Sequence, residues 1–233
     1  MEHVTLREHP GGVLVRAADR APANAMDIAL LQGLVEAIEQ VAADPPRALV
    51  LAGRPGFFSA GADLKAVPAY GPDDQRRMVA SINAMALGAY GLPCPVIGAV
   101  TGHAIAGGLV LALCTDVRIA SSDGRYGLTE VKVAVPYPQA AIGVVAAELA
   151  PHAARALALG NELIDAAECL RLGVFDEVLD PGRVLPRALE VAVRMAALSP
   201  EVYARTKRDL RGEAIARLSA AAAKDPLLAD WVG

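Results

Sequence analysis

Residues 102–116 read GHAIAGGLVLALCTD, and the fold turns on how this stretch is understood. It closes a longer window, residues 78–115, that contains no Asp, Glu, Lys or Arg. Such a window is a membrane span, a buried helix, or a place where glycine lets a ligand reach the backbone. About 20 apolar residues suffice to cross a bilayer, but Pro93 and Pro95 break any helix running in from Met78. Gly98, Thr101, Gly102, His103, Gly107 and Gly108 then make a poor lipid-facing surface. Asp116 and Arg118 follow without a basic cluster to orient a span. The stretch therefore reads as a buried strand, a glycine-rich turn and a buried helix.

Outward from it, the composition agrees. The chain has 233 residues, 54% of them hydrophobic, enough for a large core. A net charge of −4 and the lack of a Lys/Arg cluster argue against a nucleic-acid or membrane partner. Cys94, Cys114 and Cys169 are scattered in apolar runs, the pattern of reduced, buried thiols in a cytoplasmic protein rather than of disulfides or a metal cage. The N-terminal MEHVTLREHP alternates apolar and charged residues and is not a secretory signal.

Strands are predicted at HVTLRE, GVLVRA, RALVLAG, PVIGAV and DVRIAS, each short and closed by turn residues. Between them lie helices. In DIALLQGLVEAIEQVAAD, Ile28, Leu31, Val35, Ile38 and Val41 form a stripe that Asp27 can cap. A second helix is predicted from Asp73 or Asp74 to about Tyr90, and a third from about Gly107 to Cys114. This alternation indicates an α/β core. Beyond about Pro138 the chain reads as successive helices with Pro or Gly at the joints, apart from one short extended piece at FDEVL. The last forty or so residues read as an Ala-rich helical extension that packs on another subunit or lies on the surface.

Motif by motif, much is excluded: there is no Walker loop, dinucleotide-binding glycine fingerprint, HExxH, CxxC or GxSxG. His103, without a Ser or Cys partner, reads as a satisfied core residue. Two turns remain, FFSAGADL and GHAIAGGLVL, each following a strand. Small residues there let a ligand approach main-chain N–H groups, and two such turns facing one point would form an oxyanion hole. The alternative is that each glycine only permits a tight turn or close packing. In YGLTEVKVAVP, Glu130 sits among valines, where desolvation would raise its pKa toward that of a general base. Taken alone, an exposed glutamate at a helix N-terminus is the simpler reading.

Together these segments resemble the crotonase superfamily, the enoyl-CoA hydratase/isomerase family. The resemblance is carried by APANAMD, RALVLAGRPGFFSAGADLKAV, PCPVIGAVTGHAIAGGLVLALCTDVRIASSDGRYGLTEVKVAVP, RALALGNELIDAAECLRLGVFDEVL and the tail from ARTKRDL, in family order over nearly the whole chain. It implies an α+β spiral of ββα units over residues 1–192 with an acyl-CoA site, and a helical trimerisation extension over 193–233. Trimers of this kind often pair into hexamers.

The resemblance also assigns residues. The N–H groups of Ala62 and Gly107 would bind the thioester oxygen, and Glu130 would be the acid/base. Ser59, Ala60, Gly61, Asp63, Leu64 and Lys65 would shape the coenzyme A side. His103, Gly108, Val110 and Tyr137 would contribute to the substrate site. No metal and no separate cofactor are implied, because coenzyme A is part of the substrate. The chain departs from the hydratase pattern at Val110, where the first of two catalytic glutamates usually stands. With Glu130 alone, Δ3-Δ2-enoyl-CoA isomerisation is favoured, since one carboxylate can take a proton from C2 and return it to C4. Hydration by Glu130 alone and an acyl-CoA-binding pseudoenzyme are the alternatives. A second departure is VPYPQAA, where Tyr137 and Gln139 replace a glycine-rich turn.

Overall fold

The computed structural model describes residues 3–231. Its first 148 residues repeat one unit, two strands and then a helix. The first unit is β1 (Val4–His9), β2 (Val13–Ala18) and α1 (Ile28–Ala43). The second is β3 (Ala48–Ala52), β4 (Gly56–Ser59) and α2 (Pro72–Tyr90). The third is β5 (Val96–Val100), β6 (Gly102–Ile105) and α3 (Gly107–Leu113). The fourth is β7 (Val117–Ser121), β8 (Tyr126–Gly127) and α4 (Gln139–Glu148). Then follow α5 (Pro151–Ala158), α6 (Ala166–Arg171), β9 (Glu177–Leu179), α7 (Pro181–Ala196) and α8 (Pro200–Ala222).

The strands sort into two sheets. One runs β1-β2-β3-β5-β7-β9, parallel except for the β1/β2 hairpin, and the other runs β4-β6-β8, wholly parallel. Each unit thus feeds the large sheet and then, from the second unit on, the small one: the chain spirals. The five sequence-predicted strands are five of the six in the large sheet, and the sixth, β9, falls on the short extended piece at FDEVL. The small sheet went unread because its strands have two to four residues, too few to show a period of two. Glycine lets them meet: a Cβ on Gly102 would lie 2.1 Å from the Gly56 backbone.

Every residue of β3 and β5 is buried, as expected for parallel strands covered on both faces. On one face, α1, α2, α3 and α4 enclose the main core. On the other, Val184, Ala188, Val191 and Ala192 of α7 pack on Val13, Val50, Ile97 and Ile119. In α1, Asp27 caps the start by accepting from the Leu30 N–H at 2.8 Å. The stripe is rotated from the predicted one: Leu30, Leu31, Leu34, Ile38 and Val41 are buried, whereas Ile28 and Val35 are half-buried.

Helix α8 folds back over α4 and α2 of its own chain. Residue 192 lies inside α7, so α7 runs through the expected core–extension boundary. A buried ionic cluster holds α8 down: Lys207 Nζ meets Asp116 Oδ2 at 2.7 Å, and Arg211 bridges Asp116 and Glu148 at 3.0 and 3.2 Å. Among the described residues, no helix is long and apolar enough to cross a membrane, and most of residues 78–115 are buried in the fold.

Candidate active site

Each of the two glycine turns follows a strand of the small sheet, and the packing joins them. After β4, the Ser59 hydroxyl donates to the Asn24 carbonyl at 2.7 Å and accepts from the Gly61 N–H at 3.2 Å. Asn24, fully buried, donates in turn to the Ala18 and Phe58 carbonyls. Met26 donates to Gly61 O and accepts from the Asp63 N–H, a parallel bridge that turns the Ala62 N–H the other way. After β6, Ala106 takes a left-handed φ of 53° and donates to Gly127 O. Non-glycine residues seldom adopt that conformation, and the surrounding bonds hold it. Gly107 then opens α3 with its N–H free of the helix ladder.

The turns touch. A Cβ on Gly61 would lie 2.7 Å from Ala106 Cβ and 3.0 Å from Gly107 N, and one on Gly108 would lie 2.4 Å from Ser59 O. The close-packing reading of the glycines therefore holds at these positions. Gly61 and Gly108 permit close packing, and that packing brings Ala62 and Gly107 into the wall of one cavity. Among the described residues, neither the Ala62 nor the Gly107 N–H has a hydrogen-bond acceptor.

Glu130 enters the same cavity. It follows β8 and precedes a single 3-10 turn, Val131–Val133, whose Val133 N–H it accepts. The simpler reading, an exposed glutamate at a helix start, is corrected: Glu130 is only 8% exposed. Burial pushes its pKa up, and the nearby Tyr137 phenol pulls part of the way back. Burial and the Glu130 charge in turn push the Tyr137 pKa up. Glu130 Oε2 and the Tyr137 hydroxyl each lack a well-formed hydrogen bond among the described residues. An open buried oxygen such as Glu130 Oε2, at a cavity wall, is costly for folding and useful for chemistry.

The cavity encloses about 60 Å³, with Ala60, Ala62, Leu64, Gly107 and Glu130 in its wall. Other resemblance-derived positions stand behind that wall. Ser59, Gly61 and Gly108 build the turns. Asp63 accepts from the Lys65 and Ala66 N–H groups and pairs with Arg20 at 3.0 Å. Burial opposes its ionisation, but the Arg20 and backbone bonds outweigh it and hold its pKa low. The Lys65 side chain is exposed and outside the cavity. His103 accepts from the Arg125 N–H at 2.8 Å and packs edge-on against Phe57, away from the cavity. Val110 is fully buried in the main core. Tyr137 stands beside Glu130 without lining the cavity.

The sequence reading did not single out Met26, Ile82, Thr129, Val135, Ala141 and Trp231, which complete much of the wall. Thr129 and Val135 flank the same 3-10 turn beside Glu130, and the other four lie in four further segments that no local spacing connects. Among the described residues, no group of three or more His, Cys, Asp or Glu side chains is placed to hold a metal ion.

Comparison with known proteins places this geometry. A sequence profile described as enoyl-CoA hydratase/isomerase matches residues 8–228. The enoyl-CoA hydratase EchA19 of Mycobacterium tuberculosis is 33% identical over 213 residues, 88% of this chain and 79% of that protein. The structure of enoyl-CoA hydratase EchA3 from Mycobacterium ulcerans superposes with a TM-score of 0.88 at 31% identity, over 95% of this chain and 96% of that one. Human mitochondrial Δ3-Δ2-enoyl-CoA isomerase superposes with a TM-score of 0.89 at 26% identity, over 97% of this chain and 89% of that one. Fold and profile together define an acyl-CoA enzyme with a spiral α/β core and a C-terminal helix. The chain belongs to the enoyl-CoA hydratase/isomerase family, the crotonase superfamily.

Proposed function

We propose that this chain is an enoyl-CoA isomerase that moves a double bond from Δ3 to Δ2 with Glu130 as the single acid/base. One observation carries the preference: among the described residues, Glu130 is the only carboxylic acid in the cavity wall, with valine at position 110. In this reading the thioester oxygen accepts hydrogen bonds from the Ala62 and Gly107 N–H groups. The Glu130 carboxylate takes a proton from C2, and the C2–H electron pair forms a dienolate whose negative charge rests on that oxygen. Glu130 then returns the same proton to C4, leaving the double bond between C2 and C3. No water is added and no redox partner is needed. Each backbone donor contributes about 2.7–4 kcal/mol to such a step, and a carboxyl with a raised pKa takes and returns the proton with little penalty.

Coenzyme A enters as part of the substrate, without a separate cofactor, and the assembly is a homotrimer or a dimer of trimers. Lys65, exposed beside the first turn, suits the coenzyme A side.

The test compares wild type with Glu130→Gln on trans-3-enoyl- and trans-2-enoyl-CoA esters, with products resolved by chromatography and mass spectrometry. A Glu130-dependent shift of the double bond at constant mass is the expected result. A Glu130-dependent gain of one water from the 2-enoyl ester means hydration by one carboxylate, the activity named for EchA19. Binding without turnover of any ester means a pseudoenzyme.

A further inference from the structure

The cavity wall comes from two sources. Ala60, Ala62, Leu64, Ala106 and Gly107 belong to the two turns that present the free N–H groups. Ile82 of α2, Ala141 of α4, the loop residues Val135, Pro136 and Pro138, and Trp231 form much of the remainder around Glu130. This second group is apolar, and no Lys or Arg lines the cavity.

Trp231 lies beyond α8, in the segment read from sequence only as part of an oligomerisation extension. Its placement is specified by hydrogen bonds. Asp225, 3% exposed, accepts from Asn83 Nδ2 at 2.9 Å and from the Gln139 N–H at 2.8 Å. Asn83 Oδ1 accepts from the Ala140 N–H at 2.9 Å. These bonds tie the tail to α2 and to the start of α4, the two helices that supply Ile82 and Ala141. The Trp231 indole N–H donates to the Pro136 carbonyl at 3.0 Å, and the ring is 4% exposed. An indole whose one donor is satisfied presents an apolar, sterically rigid surface.

We propose that Trp231, brought in by the C-terminal segment of the same chain, is the specificity-determining end wall of a pocket for short, uncharged acyl groups. The inference deepens the acyl-CoA reading above and rests on it. The open space of about 60 Å³ has room for roughly four to six water molecules, at about 10–15 Å³ for each, which suits a short acyl group and leaves a long chain nowhere to extend while the indole stays in place. An acyl chain ending in a carboxylate would bury a charge without a cation in reach, which is unfavourable.

The test is calorimetric binding of saturated acyl-CoA esters, which reports on the pocket whether or not any reaction follows. Butyryl-, octanoyl- and succinyl-CoA are compared on wild type and Trp231→Ala. Pocket fit to a single methylene is worth roughly 10–200-fold. Wild type should therefore bind butyryl-CoA at least about tenfold more tightly than either other ester, and Trp231→Ala should close the butyryl–octanoyl gap by about tenfold. Trp231→Leu, which keeps an apolar contact and loses the ring, should give an intermediate ratio and serves if the alanine variant does not fold. Equal binding of butyryl- and octanoyl-CoA by wild type, tight succinyl-CoA binding, or an unchanged ratio in folded variants overturns the proposal. If none of the esters binds, the acyl-CoA reading itself fails and this inference falls with it. Selective binding without turnover refutes only the isomerase.

Discussion

Glu130 carries opposite consequences for stability and for chemistry. Its folded-state pKa lies above the unfolded value because burial disfavours the charge. The folded state therefore holds the proton more tightly, and stability falls as pH rises from the ordinary glutamate range through the folded pKa. Glu130→Gln removes that loss: the variant should unfold at a higher temperature than wild type at pH 7, with the difference vanishing near pH 4. Thermal unfolding followed across pH checks it. Tyr137 stands beside Glu130 and behind the cavity wall, so in the proposed reading it acts through Glu130. Tyr137→Phe should raise the Glu130 pKa further and move the acid limb of the kcat/KM profile to higher pH. An unmoved limb would mean the phenol only fills space. The sequence marked Glu130 as a carboxyl in an apolar run. It gave no means of telling burial from exposure, since a single 3-10 turn has neither helical nor strand periodicity.

At the scale of elements, the paired turns behave as one unit. Gly61 is in the left-handed region with a φ of 77°, and its missing Cβ makes room for Ala106 and Gly107. Gly61→Ala should cost about 1–3 kcal/mol of stability, read as a lower midpoint in urea. It should also lower kcat by roughly 10²–10³-fold if the Ala62 or Gly107 donor is displaced. A stability loss with kcat intact would show that the turns move together without changing the cavity. The strands of the large sheet were legible because buried parallel strands need apolar runs. Those of the small sheet were not, because their pairing depends on glycine contacts between segments far apart in the chain.

For the whole molecule, the governing contact is that of α8 with the core. Asp116 accepts from the Val96 N–H, the Tyr203 hydroxyl and Lys207, and pairs with Arg211, all in a largely buried setting. Burial pulls the Lys207 pKa down against the pull of Asp116. Asp116→Ala leaves two buried cations short of a partner and should cost about 3–5 kcal/mol, measured by denaturant unfolding. If α8 loosens, Trp231 loosens with it, so the same variant should weaken acyl-CoA binding. Little loss of stability would show that the cluster is hydrated and carries less than its geometry indicates.

The chain by itself determined the alternation of strand and helix, the burial of the uncharged window, the two glycine turns and the family to which they belong. Each of these is written in neighbouring residues, through periodicity, turn chemistry and contiguous motifs. Only the tertiary structure decided that the turns meet through Gly61 and Gly108, that Glu130 is buried beside Tyr137, and that Trp231 joins the cavity wall. Those relations join residues distant in sequence, and they are set by close packing and buried hydrogen bonds, which leave no local pattern.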